Sequence, residues 1–156
     1  MREHKQVFLV VIDESPELRP ALRYACRRAL HTDGQVAMLH VVEPEAPPVW
    51  AGIGRLIEQE AHDASTQLLA RHAALVEELT GRAPLTFARR GERREELLKL
   101  LHAEPSISVL VLGAAVGGKG PGPLISALTG TAIDRLRVPV TIVPGNLTDQ
   151  EIDAIA

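Results

Sequence analysis

Apolar residues recur in two rhythms along the chain. Four largely apolar runs of four to eight residues, Val7–Ile12, Gln35–Val42, Val109–Leu112 and Val138–Val143, read as strands buried on both faces. A weaker run, Pro84–Ala88, is short and opens on proline, which predicts an edge strand. Between these runs the apolar positions step by three or four. Leu18, Leu22, Ala25 and Ala29 define one helical face, and Ile57, Ala61, Ala64, Leu68, Leu75 and Leu79 a longer one. Leu97, Leu100 and Leu101 define a third, and Ile125, Leu128, Ala132 and Leu136 a fourth.

Local signals set the expected ends. Ser15-Pro16 predicts an N-cap and first residue for the first helix, and Gly34 its stop. The second helix is expected over Ile53–Thr80, with Gly81 just beyond, and the third from Glu92 to Ala103 with an outward Glu95–Lys99 pair. Thr148 and Glu151 have capping-box spacing, with Leu147 and Ile152 placed as a staple, so a short C-terminal helix is expected. Five strands alternating with four helices predict an open, doubly wound, mostly parallel α/β sheet with helices on both faces. No repeat or low-complexity linker interrupts the chain, so residues 1–156 are expected to form a single domain.

The segment Ser108–Pro144 holds the candidate chemistry. Its strand is expected to end at Gly113, and the next ten residues carry glycines at 117, 118, 120 and 122 and prolines at 121 and 123. Exposed N–H groups beyond a parallel strand, followed by a helix, suit a phosphate. Gly113-x4-Gly118-Lys119 fits a P-loop except at its last position, where Gly120 replaces the magnesium-binding hydroxyl, so that match is read as chance. Gly117-x2-Gly120-x9-Gly130-Thr131 is the more specific pattern. Gly130 inside a helix costs about 1 kcal/mol relative to alanine. Close approach of a phosphate, with Thr131 as donor, and close helix–sheet packing are both adequate reasons for it.

With this pattern and its ending, Thr129–Gly145, the chain resembles the universal stress protein family, whose nucleotide-binding members carry G-x2-G-x9-G-[S/T] after their fourth strand. Counted from Gly113, the loop is about four residues longer than the family's or the motif has slid along it; without an insertion Val116 falls where the second glycine would, and Glu14 stands where glycine is common. The resemblance implies the strand order 3-2-1-4-5 and a crevice between strands one and four for ATP or another adenine nucleotide, with magnesium accompanying the phosphates. The residues it implies are Ile12, Asp13 and Val41 towards the nucleoside, Leu112, Gly113, Gly117, Gly118, Lys119 and Gly120 at the loop, and Gly130, Thr131 and Ala132 beyond it. It further implies a homodimer through the edge strand Val138–Val143, which Pro139 also marks as an edge.

Composition narrows the classes. A net charge of −3 and 3% aromatic residues leave no basic face or stacking platform for nucleic acid. The apolar N-terminal run is too short for a membrane span or signal peptide, and the single cysteine, Cys26, fits a reducing cytoplasm. Histidine spacing suggests no metal site, and no nucleophile, base and orienter can be assembled. Arg89, Arg90, Arg93 and Arg94, interleaved with Glu92, Glu95 and Glu96, read as a solvated face. Lys119 is equally a phosphate partner or a solvated loop residue, and Trp50 a flap, a dimer anchor or a packed loop residue. The expected function is a cytoplasmic stress-response sensor or regulator that binds an adenine nucleotide. The alternatives are a nucleotide-independent dimeric interaction protein of the same fold and, less favoured, a slow ATP hydrolase.

Overall fold

The computed structural model describes residues 5–44 and 51–156. Its centre is one five-stranded sheet with all pairings parallel. The strands are β1 (Val7–Val11), β2 (Gln35–Val42), β3 (Leu85–Arg90), β4 (Val109–Ala114) and β5 (Val140–Pro144), in the order β3-β2-β1-β4-β5. Because β1 is central, side chains on both of its faces are buried: Phe8 and Val10 point to one layer of helices, Val7, Leu9 and Val11 to the other.

The first layer contains α1 (Leu18–Thr32), α2 (Ala51–Thr80) and α5 (Asp149–Ile155); the second contains α3 (Arg93–Ala103) and α4 (Pro123–Thr129). Leu22, Ala25, Cys26 and Ala29 of α1 pack with Met38, Val111 and Val143, while Leu97, Leu100 and Leu101 of α3 pack with Leu9, Leu39 and Leu110. Burial pushes the Cys26 thiol up to about 12, which makes it an inert core residue.

Several element ends differ from expectation for identifiable reasons. Helix α1 starts at Leu18 with Glu17 as an N-cap lacking a side-chain bond, because the Ser15 hydroxyl donates to Asp13 instead. Its last turn is closed by Asp33 in the left-handed region (φ 53°), and Gly34 is needed because a Cβ there would overlap the Gln6 carbonyl. Strand β3 runs two residues beyond Ala88 along β2, at the edge, with Pro84 just outside it. Strand β4 continues through Gly113 and Ala114, which pair with Val143 and Pro144. Strand β5 begins after Pro139, whose carbonyl accepts from Leu110 N–H.

Helix α2 departs most. A helix of 30 residues runs about 45 Å, whereas the eight-residue strand β2 runs about 27 Å. The first half therefore overshoots the sheet. Of the positions expected inward, Leu68 is buried and Ala61 and Leu79 are half-buried, while Ile57, Ala64 and Leu75 are exposed; Ser65, Leu69 and Val76 join Leu68 on the buried face. In α3 the expected Glu95–Lys99 pair is replaced, since Glu95 takes two hydrogen bonds of 2.8 Å from Arg135 and Lys99 turns to Glu96. Those bonds from Arg135 hold the Glu95 carboxyl down at about 2. Trp50 and the loop residues 45–50 lie outside the described residues.

The C-terminal helix forms as its sequence predicts. Thr148 and Glu151 make the capping box, and Leu147 and Ile152 join the α1-side core. A ladder of ion pairs fastens it to α1: Arg19 to Asp149 at 2.7 Å, Arg23 to Asp153 through two hydrogen bonds, and Arg27 to Asp153 at 3.6 Å. Hydrogen bonds from Arg19 and Arg23 lower the pKa values of Asp149 and Asp153 below their ordinary value of 3.8. The unfolded chain thus binds more protons as the medium becomes acid. This stabilisation is complete above the unfolded value and is lost as pH falls through the folded ones. We predict that amide hydrogens of Asp149–Ile155 lose protection between about pH 4 and pH 2, before those of β1. Equal protection of both segments over that range would contradict it.

Candidate functional site

All five strands point their C-terminal ends to one side, and the strand order reverses between β1 and β4. Ligands of open α/β sheets bind at that switch point. Here it holds a cavity of about 180 Å³ lined by Asp13, Ser15, Glu17, Arg93, Leu112, Gly113 and residues 121–125, among others.

The wall on the β1 side is a turn built by Asp13. Its Oδ1 accepts from Ser15 N–H at 2.9 Å and from Ser15 Oγ at 2.6 Å, which fixes the carboxylate across the turn. The chain then passes through Glu17 into α1, and Glu17 rests directly on β4. A Cβ on Gly113 would overlap the Glu17 carbonyl, and one on Gly145 would lie 2.7 Å from Ala114 O and 2.8 Å from Glu17 Cβ. Gly113 is thus required by packing against the chain's own backbone.

On the β4 side, Ala115 N–H donates to the Pro121 carbonyl at 3.0 Å and closes the glycine loop on itself. Gly117, Gly118, Gly120 and Gly122 have φ values of 108°, 88°, 82° and 113°, conformations that side chains disfavour. No atom lies within 4 Å of a Cβ built on any of them. These glycines serve the loop's own path. Gly117, Gly118, Lys119 and Gly120 are exposed and line no part of the cavity, and Val116 is exposed beside them.

Helix α4 follows with Gly122 as N-cap and Pro123 at its first turn. It was expected to run on to Leu136. Instead it stops at Thr129; Gly130 is its C-cap, and a 3₁₀ turn, Ile133–Arg135, follows. Gly130 lies at the end of α4 away from the cavity, about 10 Å along the helix. Gly130 and Thr131 are exposed there, while Ala132 is buried on the α3 side of the core. A Cβ on Gly130 would meet Ser126 O at 2.9 Å, so the helix end accounts for this glycine. Ile12 is buried and its N–H donates to Leu39 O, and Val41 is buried against the α3 layer.

Of the expected site residues, Asp13, Leu112 and Gly113 come together in the cavity; Ile12, Val41, Gly117, Gly118, Lys119, Gly120, Gly130, Thr131 and Ala132 do not line it. Gly122 of the expected loop also lines it, and sequence reasoning missed Ser15, Glu17 and Arg93. The signal for Arg93 is topological. It is the first residue of the helix after β3, so it starts at the same side of the sheet as Asp13 and Gly113.

Arg93 differs from its neighbours in the basic cluster. Arg90 pairs with Glu58, Arg94 lies 3.6 Å from Glu95, and Arg89 sits over Phe87 with a hydrogen bond to Ala88 O. Among the described residues the half-buried Arg93 guanidinium has no hydrogen bond and no carboxylate within 4.0 Å; only its backbone N–H is engaged, donating to Glu43. Nearby, His40 Nδ1 lies 2.6 Å from Ser65 Oγ. Its pKa is lowered, first by burial and then by the charge of Arg93. No group of three or more His, Cys, Asp or Glu suited to a metal occurs among the described residues.

A second cavity, about 260 Å³, lies between α2 and the ends of β2 and β3. Its exposed lining is mainly apolar, and of its polar residues Ser65 is engaged with His40 and Arg90 with Glu58, while Glu43, His62 and Arg89 also line it. The smaller cavity is the better candidate because it combines the switch point, a free cation and a fixed carboxylate.

Residues 5–144 match the universal stress protein family. No curated protein matches the chain. Among solved structures it is similar to universal stress protein UspA from Lactobacillus plantarum, at 16% identity and a TM-score of 0.72, covering 91% of this chain and 99% of that one. It is also similar to a universal stress protein family protein from Arabidopsis thaliana with AMP bound, at 14% identity and a TM-score of 0.60, covering 89% and 91%. A universal stress protein in complex with cAMP matches at 17% identity and a TM-score of 0.58, covering 92% and 100%. Helix α5 lies beyond the residues of the family match.

The contact between Glu17 and Gly113 yields a prediction. Gly113→Ala forces backbone against backbone and should lower stability by about 1–3 kcal/mol in urea unfolding. An unchanged midpoint and slope would show that the turn withdraws without strain.

Proposed function

The chain belongs to the universal stress protein family, and from that premise we propose that it binds an adenine nucleotide, ATP or another, at the crevice between β1 and β4, and acts as a stress-response sensor or regulator. The observation that carries this reading is the cavity at the switch point, where Asp13, Gly113 and an Arg93 guanidinium with no partner among the described residues line one space. The phosphate end belongs beside Arg93 and Gly113, and the nucleoside towards Asp13, whose second oxygen is free to accept a hydroxyl hydrogen bond. Support from outside the chain is that proteins of the same fold have been solved with AMP and with cAMP.

We read the site as one of binding rather than catalysis. The Ser15 hydroxyl donates to Asp13, but among the described residues no third side chain is hydrogen-bonded to that carboxylate to orient it, so a nucleophile, base and orienter are not assembled. Magnesium would enter with the phosphates rather than be held by the chain, since Asp13 already accepts two hydrogen bonds on one oxygen. No helix among the described residues is long and apolar enough to cross a membrane, and a cytoplasmic location is part of the proposal.

One observation favours a second reading, an interaction protein that uses no nucleotide: Gly130 and Thr131 stand apart from the cavity. Titration calorimetry with AMP, cAMP and ATP separates the two, and absence of binding at millimolar concentration would favour the second. On the first reading, Asp13→Ala weakens binding by about 1.5–3 kcal/mol, roughly tenfold or more. Retained affinity would remove Asp13 from the site. Turnover lost in that variant with binding retained would instead support slow hydrolysis.

Self-association is proposed through β5, an edge strand that exposes Ile142. Sedimentation at micromolar concentration should give a dimer, and a monomer would exclude this interface.

A further inference from the structure

Resting on the nucleotide-binding reading, we infer that Arg93 is the group that pairs with the phosphate and that the crevice is specific for nucleotides carrying a single phosphate group. Three observations lead there. The first is isolation. Among the described residues of this segment, Arg90 and Arg94 each have a glutamate within 4.0 Å and Arg89 is held on Phe87, whereas the Arg93 guanidinium has neither kind of partner, and it alone of the four lines the crevice. A half-buried guanidinium with five donors and, among the described residues, no acceptor in hydrogen-bond reach is a poor structural element and a good anion partner.

The second is charge. Asp13 and Glu17 line the same cavity, two carboxylates against one guanidinium. A phosphate monoester brings about −1.5 to −2 charge and a cyclic diester less. A triphosphate adds further charge that only Arg93 would offset, since Lys119 is exposed and lines no part of the cavity.

The third is room. The cavity, about 180 Å³, is below the range of about 300–1,000 Å³ that holds a whole drug-sized ligand. The loop that would have to surround a longer phosphate chain is closed on itself by the bond from Ala115 to Pro121. The enclosed space suits one phosphate with part of its sugar better than a chain of three, which would have to run outside it.

The test compares adenosine, AMP, cAMP and ATP, the last with and without magnesium, by titration calorimetry on the full chain. The expected result is AMP or cAMP bound at least about tenfold more tightly than either form of ATP. Arg93→Gln should weaken AMP about tenfold or more while adenosine changes less than about twofold, and Arg93→Lys should fall between, because charge is kept and the paired geometry lost. Circular dichroism and thermal midpoints of both variants check that α3 remains folded. ATP binding as tightly as AMP, or AMP affinity indifferent to Arg93→Gln, overturns the inference and leaves the nucleotide reading in place. Failure of all four compounds to bind at millimolar concentration overturns both.

Discussion

The backbone of Glu17 is pressed against the ends of β4 and β5. Two glycines, 113 and 145, allow it, and neither position has space for a Cβ. Interiors at crystal-like density do not yield easily, so this contact sets how far the turn between β1 and α1 lies from the neighbouring strand. Everything at the switch point follows from that distance. The turn carries Asp13 and Ser15, β4 carries Gly113, and Arg93 closes the third side from the start of α3. A crevice whose walls are fixed by main chain rather than by side chains is preorganised before any ligand arrives.

The strands and the doubly wound class were legible because buried parallel strands carry their own signature, whereas the strand order came only from the family resemblance. The runs at Val7, Gln35 and Val109 are apolar regardless of face, and the four helical faces between and after them alternate as a doubly wound sheet requires. What was not legible was length relative to neighbours. Ile57 obeys the helical period as well as Leu68 does, yet a helix longer than the sheet beneath it has no partner for part of its length. Periodicity records what a helix offers, and burial depends on what lies opposite.

The candidate site was legible in location and much less so in membership. Glycines in a loop after a strand suggest a ligand, but three separate causes operate here: packing at Gly113, left-handed backbone at 117, 118, 120 and 122, and a helix end at Gly130. Sequence spacing cannot distinguish these, because all three demand the same residue. Arg93 was hidden for the converse reason. It belongs to a mixed run of arginines and glutamates, and only the three-dimensional pairing shows which arginine is left over.

The single bond from Ala115 to Pro121 has a broader meaning. It pins the two ends of the glycine loop, so the residues between them hang from the sheet as a closed eyelet whose contents bear no load. Enlarging such an eyelet costs little, roughly 0.6 kcal/mol for each doubling of its length. Insertions can therefore accumulate at this tip, and ligand preference can drift with them, while the strands beneath keep their register.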